Sequence, residues 1–441
     1  MCLCCFFNNY NQFQIRKGIQ LRADRFEHYI EKYKIYFISK INDNLDKPLC
    51  DKHDNQDNKR LLELIKEIVN KNEKDIYNFF DSLQQIYIWW INSESQKAIE
   101  KLHEVLKKYK IIETMKTDMV GNVLFRGRVA NYPVSHWDMF HIPFNKRYLI
   151  GNQRYSLVGQ PILYLATSPY CVAKELKTIN NLKISSIVKN PYDLSHNIIL
   201  FDNSNYISKL IRINDESVEN MFLNNTIEEE NIKTYLFQFI LSICCSFSIK
   251  FKSENYSFIE EYVLPQLLAQ VVKKENINGI IFDSTQCLDN QALCSSRLYN
   301  DLSKNICIFT QYNYALANDI TYVYDKSLYK SLIISAPMEY SEVGLDEKFY
   351  DTEKTRQIIN KILSEFEDKL SDNEMSELGE IVRSLQLFEQ NQEYLEKIEE
   401  SNHSLLKDSI VLHKIQLRNI LLNRYDNLIK KLKFEEDNYG V

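Results

Sequence analysis

The spacing of apolar residues changes character twice along this chain, and that constrains its fold more than any composition figure. From about residue 20 to 115 the spacing is helical. Leu62, Ile65 and Val69 recur on one face, as do Ile99, Leu102, Leu106 and Tyr109. Ser93-x-x-Gln96 reads as a capping box opening the second of these helices. Asp51–Arg60 is polar and charged and predicts a loop, while Ile86–Ile91, with Trp89 and Trp90, reads as the buried centre of a helix. From about 120, short apolar runs bounded by turn residues predict strands at Val123–Phe125, Ile162–Leu165, Asn197–Phe201, Gly279–Phe282 and Ile306–Phe309. Helical stretches, notably Thr234–Ser246 and Phe258–Lys274, lie between them. After about 345 the pattern is helical again. Ser371-x-x-Glu374 reads as a cap, and Ser401–Ser404 as a turn between two long helices. Leu417, Leu421, Tyr425, Leu428 and Leu432 form a stripe. Packing of that stripe on its own domain is favoured over a dimer seam, so an oligomer through the C-terminal helices stays open. The expected class is α+β, with a helical domain at 1–117, a mixed domain at 118–340 and a helical hairpin or bundle at 341–441. There is no internal repeat.

Composition narrows the function classes. Nine Gly and eight Pro are few for 441 residues, which argues against a turn-rich all-β fold. A net charge of -6 gives no electrostatic reason to expect nucleic acid as the main ligand. The strongest apolar runs are too short or too interrupted to span a bilayer, and Met1–Phe7 carries no basic stretch, so neither a membrane span nor a secretion signal is expected. Ten Cys spread over this length do not make a disulfide scaffold, and the cytoplasm is the expected compartment. Cys2, Cys4 and Cys5 precede Cys50-x-x-His53, which has the spacing of half a zinc site. Free thiols are the favoured reading there, and no metal is expected.

The residues with chemical potential lie between about 121 and 310. Arg126 ends a predicted strand and offers a planar fork of donors suited to phosphate. Arg154 follows 28 residues later, before the strand that holds Tyr164. Glu175 lies on the helix after that strand, and Ser284 follows the run Gly279–Asp283. Taken singly, two arginines and a glutamate are more often a structural salt bridge, Tyr164 is as readily core as ligand contact, and Ser284 commonly starts a turn. Arg128 and Arg147 compete for the phosphate role. His136 and His141 read as satisfied surface histidines ahead of acid–base catalysts.

The order of the pieces adds to this. Arg154-Tyr-Ser-x-x-Gly-x-Pro-x-Leu-Tyr-Leu-Ala-x-Ser168, then Ala173-x-Glu175, resembles the RES domain family. So do Leu264-Pro-Gln-x-Leu-Ala269, Gly279-Ile-x-Phe-x-Ser284 and Asn305–Phe309. The resemblance covers somewhat under half the chain. It implies a bent sheet related to ADP-ribosyltransferases, around a site for NAD as substrate, and a bacterial toxin activity held in check by a cognate antitoxin. On that reading Arg126 and Arg154 clamp the pyrophosphate and Glu175 holds the ribose hydroxyls and steadies the oxocarbenium-like transition state. Tyr164 stacks on nicotinamide or bonds a ribose, and Ser284 orients the dinucleotide. Arg126, Glu175 and Ser284 are thus the catalytic set. The segment Gln286–Ser303 is long for a strand connection and is expected to disturb the local geometry or act as a lid.

Three alternatives remain. A protein side chain in place of water or phosphate would make the same site a mono-ADP-ribosyltransferase. Arg22-Ala-Asp-Arg-Phe-Glu-His28 loosely fits the Arg–His signature of HEPN-type RNases, provided it lies on one helix. The flanking helices could instead form a module that senses a trigger or holds the antitoxin.

Overall fold

The computed structural model describes residues 2–44, 47–119, 124–190, 197–211, 231–250, 258–294, 303–316, 322–334 and 337–340. The C-terminal stripe, the cap at Ser371 and the turn at Ser401 lie outside the described residues, as does much of Gln286–Ser303. In chain order the helices are α1 (Leu3–Phe7), α2 (Asn9–Leu21), α3 (Phe26–Asn44), α4 (Gln56–Ile91), α5 (Ser95–Lys108), α6 (Ile111–Thr114), α7 (Pro169–Leu176), α8 (Tyr206–Leu210), α9 (Ile232–Cys244), α10 (Val263–Lys274), α11 (Gln291–Cys294) and α12 (Lys326–Lys330). The strands are β1 (Lys116–Asp118), β2 (Leu124–Val129), β3 (Ile162–Ala166), β4 (Leu182–Lys189), β5 (Ile199–Asp202), β6 (Gly279–Asp283), β7 (Lys304–Phe309), β8 (Leu332–Ile334) and β9 (Met338–Glu339). The class is mixed α+β.

The chain divides into two compact units, each assembled from separate stretches. Unit 1 takes Met1–Asp118, Pro143–Leu163 and Ile198–Phe309; unit 2 takes Met119–Ile142, Tyr164–Asn197 and Thr310–Val441.

In unit 1, β1 pairs antiparallel with β5, β5 parallel with β6, and β6 antiparallel with β7. Helix α9 is apolar on nearly all sides, as a helix must be when no face meets water, and from Thr234 to Cys244 every residue is buried. Its Phe237 stacks on Tyr109 at 3.9 Å between ring centres and meets Phe79 at 5.1 Å, while Phe239 meets Phe7 edge-on at 5.0 Å. The helices before residue 118 therefore share a core with segments from beyond residue 230.

Unit 2 is built on β2 and β4, which pair antiparallel from Leu124↔Ile187 to Val129↔Leu182. The other edge of β4 takes β8 and β9. Helix α7 covers one face of β2. A Cβ added to Gly127 would lie 2.3 Å from Val172 Cγ1 and 3.0 Å from Leu176 Cδ1, so only glycine lets helix and strand approach this closely. Ser168 caps α7, its Oγ accepting from the Cys171 amide at 3.0 Å.

Several sequence expectations need correction. Ser93 does not cap α5. It adopts a left-handed φ of 65° in a tight connection, and α5 starts at Ser95 after a Glu94 cap that makes no side-chain bond. Ile86–Ile91 is the C-terminal end of α4, with Trp89 and Trp90 half-buried and Ile91 exposed. The loop expected at Asp51–Arg60 closes early, because Asn55 caps α4 through the Asn58 amide at 2.9 Å. Strand β4 is absent from the expectations, since Ser185 and Ser186 interrupt its apolar run; both are buried all the same.

The Gly127 contact has a measurable consequence. Gly127→Ala should destabilise the protein by roughly 1–3 kcal/mol through overpacking against α7, read as a lowered urea midpoint with unchanged slope. A midpoint equal to wild type would show that α7 does not bear on β2 in solution.

Candidate functional site

Strand β2 presents two arginines on one face. Gly127 faces α7, so alternation turns Arg126 and Arg128 the other way. Arg128 Nη1 donates to the Asp138 carbonyl and to its Oδ1, each at 3.1 Å, and Asp138 in turn accepts from the Ser135 amide at 3.0 Å. Arg126 is placed differently. Beside it, β2 pairs with β3 at one register position, Phe125↔Ala166, and the Arg126 guanidinium reaches over to donate from Nη1 to the Tyr164 carbonyl at 2.6 Å. Among the described residues no carboxylate pairs with Arg126. Burial, with Arg128 nearby, lowers its pKa to about 10, which leaves it cationic at neutral pH. A half-buried guanidinium without a counter-charge is a site in want of an anion.

Tyr164 and Glu175 lie in the same unit. Tyr164 is half-buried on β3. Glu175 is exposed in the last turn of α7, next to the residues that pack on Gly127. Arg126 is thus carried by β2, and Glu175 by the helix that covers Gly127.

Arg154 and Ser284 belong to unit 1. Arg154, 8% exposed, donates from Nη1 to the Cys245 carbonyl at 2.9 Å and lies 4.9 Å from the Tyr262 ring centre. Those partners are interior groups, so here the guanidinium holds its own loop. Its neighbours do the same: Tyr155 packs on Phe282 at 4.4 Å and accepts at its hydroxyl from Asn203 Nδ2 at 3.0 Å. The Gln266 amide nitrogen lies 2.6 Å from Asn152 Oδ1, 2.8 Å from the Gln153 carbonyl and 3.0 Å from the Ser156 carbonyl. Three of the motif pieces, around Arg154, Gln266 and Phe282, thus converge in one unit. Ser284 is fully buried; its amide donates to the Ser303 carbonyl at 2.9 Å.

Sequence reasoning missed the charges around Ser284. At the ends of β5 and β6, buried Asp202 and Asp283 face Lys209 and Lys304. Asp202 accepts from Lys209 Nζ at 2.5 Å and from the Ser204 amide at 2.9 Å, and Lys304 Nζ donates to Ser204 Oγ at 2.9 Å. Burial, then the neighbouring Lys209, pushes the Lys304 pKa down to about 8. Burial raises the Asp283 carboxyl against the pull of Lys304. Asp283 Oδ1 has no hydrogen-bond partner among the described residues. The usable signal was a charged residue at the end of each apolar run: Asp202, Asp283 and Lys304.

His141 is satisfied as expected, but buried and not at the surface. Its Nδ1 donates to the Ile142 carbonyl at 2.8 Å, and Nε2 accepts from the Asp325 amide at 2.9 Å. The bond from Asp325 needs an unprotonated Nε2, and burial lowers the ring's pKa to about 4 against the pull of the Ile142 carbonyl. His136 bonds the Tyr329 hydroxyl at 3.1 Å. The Arg22–His28 signature is split: Arg22 closes α2, His28 lies in α3, and the His28 ring pairs with Asp24 at 3.1 Å, so one helix does not carry both residues.

At the N-terminus, Cys2, Cys5, Cys50 and His53 bring their ligand atoms within 4.8 Å of one another. The second well-spaced pair was present in the sequence as Cys2-x-x-Cys5 and was overlooked. Elsewhere, Lys107, Lys110, Tyr206 and Tyr235 help to line an open depression of about 650 Å³ in unit 1, and Arg154 and Ser284 are not among its lining residues. No described helix is long and apolar enough to cross a membrane.

Over 195 residues the chain is 28% identical to a Bacillus subtilis (strain 168) protein described as "Putative toxin YopC". The match takes in 40% of this chain and 39% of that protein's length. No family model and no solved structure matches.

The neutral His141 predicts a pH dependence. The unfolded imidazole, with a pKa of 6.5, takes up a proton before the folded one does. Stability should therefore fall as pH drops from about 6.5 towards 4, by roughly 3 kcal/mol in total from this group. Urea midpoints across that range should show the loss in wild type and a shallower one in His141→Gln; equal slopes would remove His141 as its source.

Proposed function

We propose that this chain is a toxin-type effector that consumes NAD by breaking the nicotinamide–ribose bond, through hydrolysis or phosphorolysis. The observation that carries the proposal is Arg126: a cationic, half-buried fork on β2 with no carboxylate partner among the described residues, beside the place where β2 and β3 meet at one register position. A pyrophosphate supplies the missing anion and matches the planar geometry of the fork. The similarity to a protein described as a toxin, and the ordered motif pieces around Arg154, Glu175 and Ser284, support the same reading.

The roles divide by what each side chain has available. Arg126 binds the phosphate. Glu175, exposed on α7, takes the ribose hydroxyls, where its charge favours the oxocarbenium-like transition state. Tyr164 sits beside Arg126 through its own carbonyl and offers its half-buried ring to a base or ribose. Arg154 fastens its own loop to Cys245, and it and Ser284 enter the proposal through the ordered motif alone. A bent sheet of the ADP-ribosyltransferase type and a cognate antitoxin are further parts of this proposal.

Purified protein should deplete NAD and release nicotinamide, with the ribose product resolved by chromatography. Arg126→Ala and Glu175→Ala should each lower turnover by about 10²–10³-fold, with thermal unfolding unchanged. Full turnover by Glu175→Ala would overturn the assignment of the carboxylate. Wild-type protein that leaves NAD intact, with and without added phosphate, would overturn the activity itself.

A further inference from the structure

We propose that Cys2, Cys5, Cys50 and His53 form a structural zinc site that clips the start of the chain to the turn before α4. The six distances among the four ligand atoms carry this. Cys2 and Cys5 Sγ lie 3.5 Å apart, Cys2 and Cys50 3.6 Å, and Cys5 and Cys50 3.7 Å. His53 Nδ1 is 3.6 Å from Cys2, 3.5 Å from Cys5 and 3.2 Å from Cys50. A tetrahedron with metal–sulfur bonds of about 2.3 Å and metal–nitrogen bonds of about 2.0 Å has sulfur–sulfur edges of about 3.8 Å and sulfur–nitrogen edges of about 3.5 Å. All six observed edges fall within a few tenths of an ångström of those values. A disulfide would instead draw two of the sulfurs to about 2.05 Å, and the three thiols and the imidazole would not then be nearly equidistant.

The backbone is set up for such a site. Cys2 is the cap of α1, and the Cys5 amide points at Cys2 Sγ at 3.4 Å, a donor that steadies a thiolate. Cys50 and His53 are brought side by side by a turn in which the His53 amide donates to the Cys50 carbonyl at 2.8 Å. Asn58 Nδ2 holds the His53 carbonyl at 2.9 Å, and Asn11 Nδ2 holds the Cys5 carbonyl at 2.7 Å. Cys4, though adjacent in sequence, is not one of the four. Three thiolates and one imidazole fill a tetrahedral shell and leave no position for water or substrate, so the site is structural and not catalytic. Zinc fits this soft sulfur-rich set, whereas magnesium and calcium require oxygen ligands.

Full-length protein purified without chelator should carry one equivalent of zinc by elemental analysis. Cobalt(II) exchanged into the site should give the intense visible bands of a tetrahedral sulfur-rich centre together with sulfur-to-cobalt charge transfer. Cys50→Ser and His53→Ala should each lose that metal or bind it at least tenfold more weakly, while Cys4→Ser retains the equivalent. Chelator should lower the thermal midpoint of wild type. If wild type takes up neither zinc nor cobalt under reducing conditions, the site does not exist. Retention of the full cobalt spectrum by the Cys50→Ser/His53→Ala double variant would also overturn the assignment, and that reading holds whether or not either single variant is less stable.

Discussion

The burial of α9 on every side is the constraint around which unit 1 is arranged. A helix of this kind cannot meet water on any face, so it recruits partners from both directions along the chain. Phe237 takes Tyr109 and Phe79 from the early helices, and Phe239 takes Phe7 from the first turn of the chain. Gln238, one of the polar residues in this run, donates to the Ser204 carbonyl at 2.5 Å and so ties the helix to the end of β5. Each fully buried Phe contributes on the order of 1.5–3 kcal/mol of transfer free energy. The aromatic contacts therefore outweigh any single polar bond in setting where the strand ends lie, and with them Asp202, Asp283 and Lys304.

Charge is handled in three different ways in the two units. Asp202 and Lys209 are buried as a pair, with hydrogen bonds to the remaining oxygens, the condition under which buried ions are tolerated. Arg154 bonds a carbonyl, lies against an aromatic face and has the buried Glu261 carboxylate near it. Arg126 has one carbonyl and a like charge nearby. The first two arrangements are complete as they stand, and the third gains most from an incoming anion. That contrast is a stronger reason for singling out Arg126 than its place in an ordered motif.

Much of the fold was legible because the periodicity is strong. The runs at 162–165, 279–282 and 306–309 fall within β3, β6 and β7, and α9 and α10 lie where the apolar stretches predict them. Strand β4 escaped because two serines in an apolar run resemble a turn, and only pairing on both edges explains their burial. The candidate site was harder to read. Arg126 and Arg154 are the same residue type with the same apparent task, and what separates them is Cys245, 91 residues beyond Arg154. The cysteine cluster was half visible: Cys50-x-x-His53 stood out, while Cys2-x-x-Cys5 was hidden by the third cysteine between them. Spacing reports ligands on one local turn and says nothing of two turns meeting across 45 residues.

The interleaved make-up of the units bears on how the protein is made. Unit 1 begins with the first residues of the chain yet is closed only by β7, at Phe309. A ribosome that has finished Asp118 must add 191 further residues before that strand exists, which takes roughly 10–40 s at ordinary elongation rates. For the first part of that interval Phe79 and Tyr109 await α9, which is not yet translated, so the nascent chain presents sticky aromatic surface long before any finished unit leaves the exit tunnel.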